Sequence, residues 1–213
     1  MSDEADGAED SSFPWPQKGD QLIKADNDWW LNACVDWWNK DFGIYADGYK
    51  KAADLLVDCI IASASRTRNP IDYLIFPIVF LYRQYIELKL KEIIRFGIKL
   101  HDFEYGLPTH HKLDQLWTLA RGILNKESAS QADLTVVGSC IAELVAVDPL
   151  SQAFRYPVDK QGKDSVVQEQ VMINVRHLKE IMAKMASFLD AGSECMLVKL
   201  QQRAEIENYY RQW

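Results

Sequence analysis

Arg83, Glu87, Lys91 and Arg95 follow one another at four-residue intervals. On a helix that spacing lines them along one face. One reading is a surface ladder, with Glu87 ahead of Lys91 in the favoured orientation. The other is that Arg83 and Glu87 reach into a cleft. Arg83 directly follows Tyr73 to Tyr82, the most apolar run of the chain. An Arg there calls for a paired carboxylate or a bound anion. Both readings stand for Arg83 and Glu87, whereas the ladder is expected for Lys91 and Arg95. The pair His110-His111 opens a candidate helix, with Asp114 one turn on. Histidine titrates near neutral pH and a helix N-terminus favours anions, so His111 is a candidate general acid or base, or simply a capping residue. No further His or Cys stands nearby at zinc-ligand spacing, so no metal is expected. In Phe154-Arg155-Tyr156-Pro157 an Arg sits between two aromatics and is pinned by Pro. Such an Arg is a rigid anion-binding group, or the partner of an acid such as Glu87. Either way it should point at the bundle. The chain has no phosphate-cradling Gly-rich loop, GxSxG, HExxH or dinucleotide fingerprint, and no cofactor is expected.

The elements that must position these residues read as helices. Apolar residues recur at helical spacing after Asp47-Gly48 to about Ser65, then over 70–100, 110–124, 131–147 and 170–190. Pro77 inside the second stretch predicts a kink there, or a start shifted toward Phe76. From Phe76 to Tyr82 that helix is apolar nearly all round, which predicts a place at the centre of the bundle. Thr109 is a candidate N-cap for the helix beginning at His110. Residues 149–168 read as a long connection with turn chemistry at Asp159-Lys160-Gln161-Gly162. Gly192 predicts a break before a last helix of about 194–211, which ends near Tyr209, Tyr210 and Trp213 and is a candidate partner or dimer arm. Trp29, Trp30, Trp37 and Trp38 fall in an aromatic stretch, 28–45, read as a helical arm stapled to the core. The competing reading is a base-stacking platform, but the stretch has only Lys40 for a cation.

The expected fold is all-α: a helical bundle with a long central helix, an aromatic N-terminal arm and a C-terminal helix. Residues 1–20 are expected to be a disordered acidic tail, and 21–213 a single helical domain with its core at about 45–190 and an arm at 194–213. The chain's 213 residues suffice for one large core. Five of its 31 acids lie in the first ten residues, with no base among them. The rest is therefore close to neutral and has no global field to draw it onto nucleic acid. RNA contact would need a local basic patch. Cys34, Cys59, Cys140 and Cys195 form no CxxC. Without a secretory signal they read as reduced thiols of a cytoplasmic protein. The apolar run Tyr73–Tyr82 covers about 15 Å as a helix, roughly half a bilayer core, so no membrane span is expected.

Three segments together resemble bacterial HEPN-like proteins: Leu81-Tyr82-Arg83-Gln84-Tyr85-Ile86-Glu87-Leu88-Lys89-Leu90-Lys91, then His110-His111-Lys112-Leu113-Asp114-Gln115-Leu116-Trp117, then Phe154-Arg155-Tyr156-Pro157 with Asp159. The resemblance covers roughly residues 45–190. It implies a small helical bundle, often dimeric, of defence or toxin–antitoxin type. Many such proteins are metal-independent ribonucleases whose His and Arg support attack by the ribose 2′-hydroxyl. Others are RNA-binding, nucleotide-binding or non-catalytic subunits of larger complexes. Glu87 stands where the catalytic members carry histidine. Arg95 and His101, with five residues between them, meet the spacing. The expected catalytic set is therefore composite: Arg83, Glu87, His111 and Arg155. Lys91, Arg95, His101, His110 and Lys112 are the candidate RNA- or anion-binding residues around it. Trp29, Trp30, Trp37, Trp38, Tyr209, Tyr210 and Trp213 are the candidate partner-binding residues, for a homodimer or a subunit of a complex.

Overall fold

The computed structural model describes residues 15–35, 41–63, 70–158, 161–162, 164–165 and 171–212. The chain divides into two units, 1–39 and 40–213. In the first unit, Trp29–Leu31 form one 3₁₀ turn. The Trp29 and Trp30 rings meet edge to face at 6.0 Å and both are exposed. Residues 32–35 are not helical, so the expected aromatic helix is interrupted after this turn, while Phe42 and Tyr45 of the same stretch lie in a helix that begins at Phe42. The Asn32 side chain bonds back to the Asp26 backbone, its Nδ2 donating to Asp26 O at 2.7 Å and its Oδ1 accepting from Asp26 N at 3.0 Å. That local bonding offers the backbone an alternative to the helix. Trp37, Trp38 and Trp213 lie outside the described residues, as do Lys40, Asp159 and Lys160.

The second unit is all-helical: α1 (Phe42–Ser63), α2 (Ile71–Leu100), α3 (Leu113–Lys126), α4 (Gln131–Val147) and α5 (Val175–Arg211). Among the described residues the only β-type pairing is an isolated antiparallel bridge between Val158 and Asp164. No described helix is long and apolar enough to cross a membrane. Helices α1, α3 and α5 pack on α2, and α4 packs on α3.

Helix α1 begins ahead of the expected Asp47-Gly48 start. Asp41 Oδ1 accepts from Ile44 N at 3.1 Å and takes up one of the otherwise orphaned first-turn amides. Its buried face, Ala46, Ala53, Val57 and Ile60, lies against α2. Helix α2 runs unbroken from Ile71 through Pro77, so the shifted start is overturned. Pro77 removes a bond to the Tyr73 carbonyl, but Tyr73 and Pro77 are both exposed and water can satisfy that group. The centre of burial also differs from expectation. Tyr73 and Phe76 are exposed, while Ile78 to Gly97 is the most enclosed stretch, charged residues included.

Helix α3 starts at Leu113 rather than His110, with Lys112 at the N-cap position and no side-chain cap. Arg83 Nη2 donates to the His111 carbonyl at 3.1 Å, the group that a helix begun at His110 would offer to Gln115. His110 and His111 therefore lie in the approach to α3, and Thr109 caps nothing there. Ser130 caps α4, its Oγ accepting from Asp133 N at 3.4 Å. Helix α5 begins at Val175 behind the Asn174 cap and passes straight through Gly192. The two expected C-terminal helices are thus one. A Cβ at Gly192 would sit 2.6 Å from Leu124 Cδ2, so this glycine leaves room for the Leu124 side chain of α3 instead of ending a helix.

Candidate functional site: a buried carboxylate behind an exposed histidine

Arg83, Glu87 and Lys91 occupy one face of α2 where it is most enclosed. The Arg83 and Glu87 side chains are only 2% and 1% exposed. Glu87 is the hub. Its Oε1 accepts from Lys91 Nζ at 3.0 Å and lies 2.7 Å from His111 Nδ1, while its Oε2 accepts from Arg83 Nη1 at 3.4 Å. Burial alone would raise the Glu87 carboxyl. Hydrogen bonds from His111 and Lys91 outweigh it and hold the group below its ordinary value. An ionised carboxylate only accepts, so the hydrogen at this contact belongs to His111 Nδ1, and in the neutral imidazole the lone pair is then on Nε2. The imidazole is 69% exposed. The arrangement is an open histidine whose tautomer and orientation are fixed from beneath by a buried acid.

Arg83 ties three segments together. Besides Glu87 and the His111 carbonyl, its Nε lies 3.4 Å from Asp148 Oδ2 at the C-terminus of α4, a charge contact without hydrogen-bond alignment. Burial pushes the guanidinium down from its ordinary value, while Asp148 and Glu87 oppose that. It remains a cation at neutral pH. Asp148 Oδ1 accepts from Gln152 N at 2.7 Å and Ala153 N at 3.0 Å, which folds the 148–153 turn back on itself. Ser151 takes a left-handed φ of 61° in that turn. The turn delivers Phe154 into the core beside Val79 and holds Arg155 at the surface. Arg155 Nε donates to Ser151 O at 2.7 Å and Nη2 donates to the same oxygen. Its guanidinium lies 5.6 Å from the Phe80 ring centre and 5.7 Å from that of Tyr156. The expected pairing of Arg155 with Glu87 does not occur; Asp148, paired with Arg83, is the acid that anchors this loop.

Arg83, Glu87 and His111 therefore meet, and Asp148 links them to the turn carrying Arg155. Lys91 belongs to the same network, buried beneath Glu87, and the expected surface ladder is overturned for it. The Arg95 guanidinium lies over the Phe42 and Phe96 rings at 5.1 and 5.2 Å, a cation–π setting. His101 Nε2 lies 3.1 Å from Glu127 Oε1 and its ring is 5.3 Å from Phe103, so Arg95 and His101 engage different partners. His110 Nδ1 accepts from Lys112 N at 3.3 Å, and the Lys112 side chain is exposed beside His111. Tyr209 and Tyr210 are exposed near the end of α5.

Asp148 escaped the sequence reading. Its signal was slight: an acid immediately after an apolar helical run and seven residues before Arg155. A second buried network also lay unread on α2. Lys89 Nζ contacts Glu92 Oε2 at 2.9 Å and Asp190 Oδ1 at 3.0 Å, and Ser193 Oγ donates to Glu92 Oε2 at 2.7 Å. Among the described residues no group of three or more His, Cys, Asp or Glu side chains is arranged to hold a metal ion. No protein-family profile, no curated protein and no solved structure matches this chain significantly.

Proposed function

We propose that this chain is a HEPN-like helical-bundle protein of RNA-directed prokaryotic defence or toxin–antitoxin type, and that it cleaves RNA without a metal through His111. The observation that carries this reading is the 2.7 Å contact between buried Glu87 and the Nδ1 of an exposed imidazole. In this mechanism His111 Nε2 takes the proton of a ribose 2′-hydroxyl. The 2′-oxygen attacks the adjacent phosphorus, the bond to the 5′-oxygen breaks, and the departing oxygen takes a proton from water. The products are a 2′,3′-cyclic phosphate and a 5′-hydroxyl. Glu87 keeps Nδ1 protonated and stabilises the imidazolium that forms. Arg155 and Lys112, both exposed, supply positive charge for the phosphodiester. Arg83 is too enclosed to touch RNA and is a positioning residue.

The test is incubation of the pure protein with total RNA in the presence of a chelator. Cleavage is expected for wild type, and a loss of about 10² to 10⁴-fold for His111→Ala, the usual worth of a general base. RNA left intact by the wild-type protein overturns the reading. A second reading, a non-catalytic subunit of a larger complex or of a homodimer, is favoured by the exposure of Trp29, Trp30, Tyr209 and Tyr210. It predicts intact RNA together with a partner lost on Trp29→Ala/Trp30→Ala or Tyr209→Ala/Tyr210→Ala. A nucleotide sensor would instead show a Tm rise with a nucleotide.

A further inference from the structure

Helix α4 packs on α3 and stands off α2 and α5. The gap forms a cleft of about 330 Å³. Its floor is Val79, Tyr82 and Ile86 of α2, and its walls include Leu144 of α4, Met182 and Met185 of α5, and Phe154. Past Cys140, Ile181 and Met185 it continues into a second space of about 460 Å³ beside Val136 and Phe188. Tyr82 offers this cleft its ring and not its hydroxyl, which donates to Asp54 Oδ1 at 2.7 Å on the α1 side. Burial, with Glu143 nearby, pushes the Cys140 thiol up, so it is an uncharged part of the wall. Polar groups gather at the exposed rim: Glu143, Asn174 and His177. Asn174 Oδ1 already accepts from His177 N at 3.0 Å.

We propose that this cleft binds a neutral, two-ring apolar small molecule. Size sets the class. A dry cavity of about 150 Å³ accepts benzene, and this cleft has about twice that space. It also falls at the lower end of the range for small-molecule sites. The walls favour rings over an alkyl chain. Two methionines and the rings of Tyr82 and Phe154 line the cleft, residue types that make sulfur–aromatic and ring–ring contacts with a flat partner. The carboxylate of Glu143 at the mouth disfavours an anion. The site is separate from the Glu87–His111 pair, so it stands or falls independently of RNA cleavage.

The experiment is a fluorescence titration of the full chain with neutral N-phenyl-1-naphthylamine and with anionic 1-anilinonaphthalene-8-sulfonate. The neutral probe is expected to saturate at one molecule per chain, and the anionic probe to bind about tenfold more weakly because of the rim carboxylate. Glu143→Gln, an exposed and isosteric change, should raise the affinity for the anionic probe and leave the neutral one unchanged. Leu144→Trp fills the cleft and should abolish neutral binding while the circular dichroism stays helical. If that variant unfolds, Val147→Phe takes its place. His111→Ala should bind as wild type. Absence of saturable neutral-probe binding overturns the proposal. So does binding that survives filling, or anionic binding that equals neutral binding and ignores Glu143→Gln; either would mark general apolar surface.

Discussion

Glu87→Gln removes one charge and almost no volume, and its cost follows from the geometry. In the native protein the carboxylate faces two enclosed cations, Lys91 at 3.0 Å and Arg83 at 3.4 Å, and one open imidazole at 2.7 Å. The imidazole end of its contact is open to solvent, so losing that contact strands no buried charge. The two buried contacts decide the result. Breaking a buried pair by removing one partner costs about 3–5 kcal/mol, because the other charge stays desolvated. Arg83 keeps Asp148 and the His111 carbonyl, and the glutamine oxygen still accepts from Lys91, so the low end, about 3 kcal/mol, is expected. Urea denaturation followed by circular dichroism reads this as a midpoint lowered by about 1–2 M, at an m-value of about 2–3 kcal/mol/M. The same carboxylate sets an acid limit. Its folded pKa lies below the unfolded value near 4.5, so its stabilisation is complete above that pH and fades as pH falls below it. Glu87→Gln should flatten that acid loss. A cost under about 1 kcal/mol, with an unchanged acid profile, would refute the buried network.

Three further outcomes follow. Asp148→Asn keeps an oxygen for the Gln152 and Ala153 amides but removes the charge facing Arg83; a loss of about 2–3 kcal/mol in urea unfolding is expected, and no loss would deny Asp148 its anchoring role. A Cβ at Gly97 would come within 2.9 Å of three Ile123 side-chain atoms in the core, so Gly97→Ala should cost about 1–3 kcal/mol and lower Tm by about 3–10 °C in calorimetry. Burial, with Asp54 and Asp190 respectively, raises the Tyr82 and Tyr85 phenols above their ordinary 10.0, and the Glu92 and Asp190 carboxylates outweigh burial to raise Lys89 above 10.5. Each contributes in full below its unfolded value and loses its contribution above it, so stability should fall as pH rises past about 10, and Tyr85→Phe should blunt that fall.

How far the sequence could be read depended on whether a residue's role was local. Helical periodicity located α4 closely, and the four-residue spacing of Arg83, Glu87 and Lys91 placed them on one face. Tertiary partners then decided what local signals could not. Gly192 reads as a breaker until Leu124 is seen to need its missing Cβ. His110 reads as helical until Arg83 claims the His111 carbonyl. Pro77 predicts a kink or a late start, but α2 already starts at Ile71, and Tyr73, whose carbonyl loses its bond to Pro77, is an exposed residue. Lys91 reads as solvated because burying a lysine is costly, and only the matching acid Glu87 makes it tolerable, as Glu92 and Asp190 do for Lys89. Asp148 was invisible for the same reason, since its partner lies 65 positions earlier in the chain.

That dependence decides which variants can speak about chemistry. Arg83 holds Glu87, the approach to α3 and the end of α4 at once, so its removal disturbs fold and site together. Loss of activity in Arg83→Ala would therefore say nothing specific. His111 and Arg155 are different. Both residues are exposed, and the backbone around each is held mainly by other residues: the His111 carbonyl by Arg83, the turn before Arg155 by Asp148, with Arg155 adding its own bonds to the Ser151 carbonyl. Truncation of His111 should leave stability within about 0.5 kcal/mol, as at other exposed positions. Arg155→Ala also loses the bonds to Ser151 and should cost about 1 kcal/mol. Activity lost in either variant with no larger change in the unfolding midpoint thus assigns chemistry to those side chains. The same loss accompanied by a large fall in the midpoint assigns it to the scaffold beneath them.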